Sequence, residues 1–373
     1  MIGRFAAGAA TALVLIGVSG APAAADSIRD RQWHLSDLRI TEAHRITRGA
    51  GVVVAVIDTG VDAKHRDLAG AVLPGYNTVS GRFEDPTGRK DVVGHGTEMA
   101  GLIAGRGHGS GAGVLGIAPA SSILPIDSPV GGLGGAFLPE AVDFAIAHHA
   151  GVINMSFGGP ERDEDHEAIR KALAHDIVVV AASGNRDAEG EDYPGLYPEV
   201  LTVGAYGADR RIADFSVTGP QVDLVAPGDH LATTTVSKSG YGLGSGTSEA
   251  TAVVSGAAAL IRAKYPTMSA AEVVHRLTAT ADDAGAPGRD DTYGYGRLNV
   301  VRALTADVAP LPAVPASPSG GAAPADPARA SKVDTRDLPR AANPLVPALI
   351  AGGILLAGAA VLAGVFRRRR RPS

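Results

Sequence analysis

The chain has 373 residues, 45% of them hydrophobic and 20% charged, with a formal net charge of −5. This is enough apolar material for one large core or two modest ones. Cysteine is absent, which excludes disulfides, thiolate zinc sites and cysteine nucleophiles.

Arg4 precedes an uncharged run, 5–18, and then the small-residue stretch Ser-Gly-Ala-Pro-Ala-Ala-Ala. Ala23 and Ala25 fit a signal-peptidase exit, so residues 1–25 are predicted to be a signal peptide cut before Asp26. The short apolar run favours removal over a retained anchor helix. From 26 to about 304, strand-like and helix-like segments alternate. Short apolar runs at 52–57, 123–126, 152–155, 178–181 and 200–205 have the character of strands buried on both faces of a parallel sheet. Helical stretches fall at 98–104, 139–149 and 163–175, and a long Ala-rich helix spans 248–265. Ser269 with Glu272 makes a capping-box signature that opens another helix over 270–280. The alternation predicts an α/β domain over 26–306 with a doubly wound, mostly parallel sheet. Residues 307–344 are dense in Pro and Ala and predict an extended tether. The uncharged run 345–366 opens at Leu345, ends at Phe366 and is followed by five arginines. At about 1.5 Å per residue it is long enough to cross a bilayer core of ~30 Å as one transmembrane helix. The basic tail, 367–373, is expected to stay cytoplasmic, which turns the domain outward.

These two ends hold six of the 34 basic residues and no acidic one. The part between them, 26–344, therefore carries 28 basic against 39 acidic residues, a net charge of −11. An acidic, exported domain is the opposite of a nucleic-acid binder.

Three segments carry chemistry. Asp58 follows the 52–57 strand in Val-Ile-Asp-Thr-Gly, at the carboxyl end where doubly wound folds place their sites. A second Asp-Thr-Gly, which an aspartic protease needs, is missing. His95 sits between Gly94 and Gly96, whose missing side chains allow another segment to approach. Ser248, in Gly246-Thr247-Ser248, enters the long helix, where free N–H groups favour negative charge. A serine needs an imidazole to take its proton, and the imidazole needs a carboxylate to orient it. Each residue alone reads as a cap or surface group; together they predict nucleophilic acyl transfer with Asp58, His95 and Ser248 as the triad. Asn185, in Ser183-Gly184-Asn185 after the 178–181 strand, is placed to donate to the oxyanion. Gly111 to Gly116 spells a dinucleotide fingerprint but follows a Gly/Ser-rich loop, and is expected to be flexible surface loop. The acidic run from Glu189 to Asp192 lacks a regular calcium spacing. No metal site and no cofactor is expected.

In order, wording and spacing, 37 residues from Asp58 to His95 and 153 from His95 to Ser248, the chain resembles the subtilisin-like serine proteases over about 51–304. The resemblance implies a polypeptide substrate and a cleft lined by Ser156, Phe157 and Gly158 and by Ala182, Ser183 and Gly184. Both strips would pair with peptide backbone as edge strands do. A narrower likeness is to the mycosins, the membrane-anchored subtilases of actinobacterial type VII secretion. The segment Asp30-Arg31-Gln32-Trp33-His34-Leu35, the signal peptide, the tether and the single anchor carry it. It implies a secretion membrane complex as partner and an N-terminal segment packed on the domain. Three departures stand out: mycosins usually carry disulfides, the family generally has Pro where Ala252 stands, and Glu249 is an unusual neighbour for Ser248. The Glu249 carboxylate is expected either to repel a nearby oxyanion or to turn into solvent. Proteolysis, a structural role in the secretion complex, and a general extracellular protease all remain open on these residues.

Overall fold

The computed structural model describes residues 26–78, 85–128, 137–186 and 193–311. The expected signal peptide, nearly all of the expected tether, the expected anchor run, the basic tail and the acidic run 189–192 lie outside the described residues. Among those described, no helix is long and apolar enough to cross a membrane.

The chain opens with three short helices, α1 (Asp26–Asp30), α2 (Trp33–Asp37) and α3 (Ile40–Ile46). Strand β1 (Val53–Asp58) follows, then β2 (Tyr76–Asn77), helix α4 (His95–Ala104) and a small hairpin of β3 (Arg106–His108) and β4 (Ala112–Leu115). After β5 (Ser122–Asp127), helix α5 (Phe137–Ala147), β6 (Val152–Met155), α6 (Asp163–Ala174), β7 (Val178–Ala182) and β8 (Leu201–Tyr206) alternate. Then come β9 (Leu224–Pro227), a second hairpin of β10 (Leu231–Thr234) and β11 (Tyr241–Gly244), and helices α7 (Thr247–Lys264), α8 (Ala270–Ala279) and α9 (Val300–Thr305).

Seven strands form one sheet in the order β2-β5-β1-β6-β7-β8-β9, every pair parallel. The two-residue period of a strand sorts its side chains between two cores. Val54 and Val56 of β1 face one core with Met99, Leu102 and Ile103 of α4 and the apolar positions of α7. Ala55 and Ile57 face the other, with Leu138 and Val142 of α5 and Ile169 of α6. Strand order reverses at β1, whose neighbours β5 and β6 carry the chain in opposite directions. Asp58 ends β1 at that switch point, where such sheets open a crevice. Helix α7 is buried along nearly its whole length. Its Ala, Gly, Ser and Thr content permits this, because small side chains let the axis approach the sheet and α4. Ala252 is fully buried within its unbroken run. The capping box at α8 forms in both directions between Ser269 and Glu272.

Residues 111–116, expected to be surface loop, instead include β4, whose Ala112 and Val114 are buried. The N-terminal segment covers this strand. The Arg29 guanidinium donates to the Gly113 carbonyl (2.9 Å), and Gln32 exchanges two hydrogen bonds with the Leu115 backbone. Farther along, the Trp33 indole donates to Asp229 O and the Tyr206 hydroxyl to Asp37.

His34, in that segment, is fully buried with both ring nitrogens unpartnered. Burial lowers its pKa to about 3, against the opposing pull of Asp37. Between that value and the ordinary 6.5, the unfolded chain binds a proton that the folded chain refuses. His34 therefore contributes stability that is complete above about pH 6.5 and is lost progressively as pH falls toward 3. Urea midpoints measured from about pH 7 to about pH 4 should fall, and His34→Leu should flatten the decline. Equal slopes in the two proteins would assign the acid loss to other groups.

Candidate active site

The carboxyl ends of β1, β6 and β7 and the start of α7 converge on one crevice. Asp58 is completely buried at the end of β1 and takes His95 Nδ1 against both its oxygens, at 2.8 and 2.9 Å. The Thr59 amide donates to the same carboxylate at 2.8 Å. The approach depends on Gly96, because a β-carbon there would overlap the Gly60 carbonyl and lie 3.2 Å from Asp58 Cβ. Burial alone would lower the imidazole's pKa. The charge and hydrogen bond of Asp58, with Glu249 and Glu98 adding their fields, push it upward, which stabilises the imidazolium that forms when the ring takes a proton.

Ser248 occupies the first turn of α7 and is locked to the end of β6. Its hydroxyl donates to Ser156 O (3.2 Å), while the Ser156 hydroxyl donates to Ser248 O (3.1 Å). Ser156 in turn accepts from Asn154, which also accepts from Ser255 one face further along α7. The Ser248 hydroxyl is thus held by Ser156 in the resting chain. Catalysis by His95 requires it to leave that carbonyl. Asn185 is oriented by its own carbonyl oxygen, which accepts from the Thr247 amide (3.0 Å) and hydroxyl (3.2 Å). This leaves its Nδ2 turned the other way, beside Gly246.

The two strips expected to bind a peptide differ. Backbone groups of Phe157 and Gly158 have no main-chain partner among the described residues, so they are available to an added strand. In the other strip the Ser183 amide is bound to Val203 O and the Gly184 carbonyl to the Val217 amide. Ala182 and Ser183 are buried. That strip's backbone is largely spent inside the domain, so it forms a wall and not a pairing edge.

Asp91 escaped the sequence reading, yet it organises the histidine. One of its oxygens accepts from Thr59 Oγ1, the Val93 amide and the Gly94 amide; the other accepts from the amide and hydroxyl of Thr97. It joins the loop after β1 to the first turn of α4 and so fixes where His95 starts. An aspartate four residues before the histidine was the available signal. Glu249 does not turn into solvent: it is 4% exposed, and burial raises its pKa to about 7 while His95 pulls it down.

A parallel α/β sheet with a carboxylate–imidazole pair at its carboxyl edge, and a serine opening the central helix, is the setting of a serine hydrolase. The chain belongs to the subtilase family, whose profile matches residues 49–296, and it is a serine endopeptidase. It is 43% identical to an intracellular serine protease of Paenibacillus polymyxa over 58% of this chain and 68% of that one. Identity to subtilisin DY of Bacillus licheniformis is 39%, over 69% and 92%. Among solved structures it is similar to the serine protease MycP1, an essential component of the type VII (ESX-1) secretion system. The TM-score is 0.64 at 31% identity, covering 76% of this chain and 90% of that one.

Proposed function

We propose that this subtilase is exported, anchored by 345–366 and active outside the membrane, and that it works within or beside a type VII secretion complex. Hydrolysis runs through Asp58, His95 and Ser248. The Ser248 hydroxyl passes from Ser156 O to His95 Nε2, gives up its proton there and attacks the peptide carbonyl. Asn185 Nδ2 donates to the resulting oxyanion, and His95 returns the proton to the departing amine, leaving an acyl-enzyme that water then hydrolyses. The observation that carries the reading is the buried Asp58 clasping His95 Nδ1, which holds the other ring nitrogen as a base. The secretion setting is supported by the likeness to MycP1 and by the anchor and basic tail in the sequence.

A fluorophosphonate probe should label the full chain, and Ser248→Ala should abolish the labelling. Labelling that survived would place the nucleophile elsewhere. In cells, deleting the chain should stop type VII secretion, and Ser248→Ala should preserve at least part of it. Normal secretion without the chain would leave a protease independent of that machinery.

A further inference from the structure

Besides Asp58, two carboxylates act on His95, and neither has a cation of its own among the described residues. Glu249 directly follows Ser248, and its side chain is folded back over Gly244 and Gly246. A β-carbon at Gly244 would overlap its Oε1. One at Gly246 would lie 2.8 Å from its Oε2 and 3.4 Å from Asn185 Nδ2. The carboxylate therefore borders the candidate oxyanion donor, and its charge acts on the imidazole. Glu98 lies three residues beyond His95, on the same side of α4, and is half-buried. Among the described residues, the positive group that acts on both carboxylates is His95; Asp58 also acts on both, Asp91 on Glu98, and Glu98 on Glu249. Glu249 takes no side-chain hydrogen-bond donor among the described residues, only its own amide. A carboxylate buried this deeply without a counter-charge is costly as an anion, and a cation arriving beside it would favour the charged form.

The site has a polarity that says what could arrive. On the proteolytic reading, the acyl half of the substrate lies along Phe157 and Gly158 with its carbonyl toward Asn185. His95 hands its proton to the departing amine, so the residue that leaves must pass next to His95, the group both carboxylates face.

We propose that Glu249, together with Glu98, forms the subsite for the residue following the scissile bond, and that it selects lysine or arginine there. This rests on the proteolytic reading and adds a substrate class to it. The alternative is that Glu249 serves only as a negative charge in the first turn of a helix, which would affect stability and leave selectivity untouched.

The test is a set of quenched-fluorescence peptides, identical except for Lys, Arg, Leu or Glu after the scissile bond, cleaved by the full chain. The ratio of kcat/KM between two peptides at one pH cancels the ionisation of His95, which both require. Lys and Arg should exceed Leu by about tenfold or more, as expected for a charge pair shielded from solvent, and Glu should be cleaved least. Added salt should narrow the gap. Glu249→Gln should bring the Lys/Leu ratio close to one, Glu249→Asp should restore part of it, and Glu98→Gln should lower it less. A wild-type ratio near one, or one unchanged in Glu249→Gln, would overturn the assignment, and the salt and Glu98→Gln arms apply even where Glu249→Gln fails to fold. Loss of hydrolysis of all four peptides together with loss of fluorophosphonate labelling would instead count against the proteolytic reading.

Discussion

Replacing Asp58 with asparagine should lower kcat by about 10⁴-fold while the chain stays folded. The carboxylate is fully buried and meets His95 Nδ1 with both oxygens, so the ring must carry its proton on that nitrogen and present Nε2 as a base. An asparagine of the same shape can keep the Thr59 contact. Its amide group, however, can face Nδ1 only by donating, which moves the ring proton to Nε2 and removes the base. It also removes the negative charge that raises the imidazole's pKa. Single-turnover kinetics on a peptide ester, alongside circular dichroism, would check both halves. A loss of less than tenfold in a folded variant would mean that Asp58 does not orient the base.

Asn185→Leu should cost about 10²–10³ in kcat and change KM little, because the lost donor matters once negative charge develops on the substrate oxygen. The amide is aimed in advance, since Thr247 holds the carbonyl end through two hydrogen bonds. No reorganisation is then needed when the oxyanion forms. A rise in KM at unchanged kcat would make Asn185 a substrate-binding residue and move the oxyanion site elsewhere.

The sheet was largely legible because parallel strands buried on both faces are runs of Val, Ile and Ala, and those runs lie within a residue or two of β1, β5, β6, β7 and β8. The meeting of Asp58 with His95 was legible for a different reason: glycines mark places where backbones must meet, as Gly96 meets Gly60. What stayed hidden depends on partners distant in sequence. β4 is only four residues, Ala-Gly-Val-Leu, broken by a glycine and preceded by a Gly/Ser-rich loop, and it is a strand because β3 and the N-terminal segment bond to it. Asp91 looks like an ordinary turn residue until Thr59 and Thr97 come within reach. Glu249 could have faced either way from the first helical turn; packing over Gly244 decides it. The two peptide strips were spelled alike, and only the neighbours at Val203 and Val217 reveal that one is already engaged.

The N-terminal segment is the first part of the domain to be synthesised, yet its partners come late. Arg29 waits for Gly113, Trp33 for Asp229 and Asp37 for Tyr206, separations of 84, 196 and 169 residues. During vectorial synthesis the Trp33 and Asp37 contacts must therefore remain unmade until most of the domain has emerged, and they close as a late, non-local step. The order of emergence makes the docking of Trp33 a completion signal: a truncated chain ending before Asp229 lacks the acceptor for Trp33, leaving that side of the strap open to proteases that clear unfinished protein.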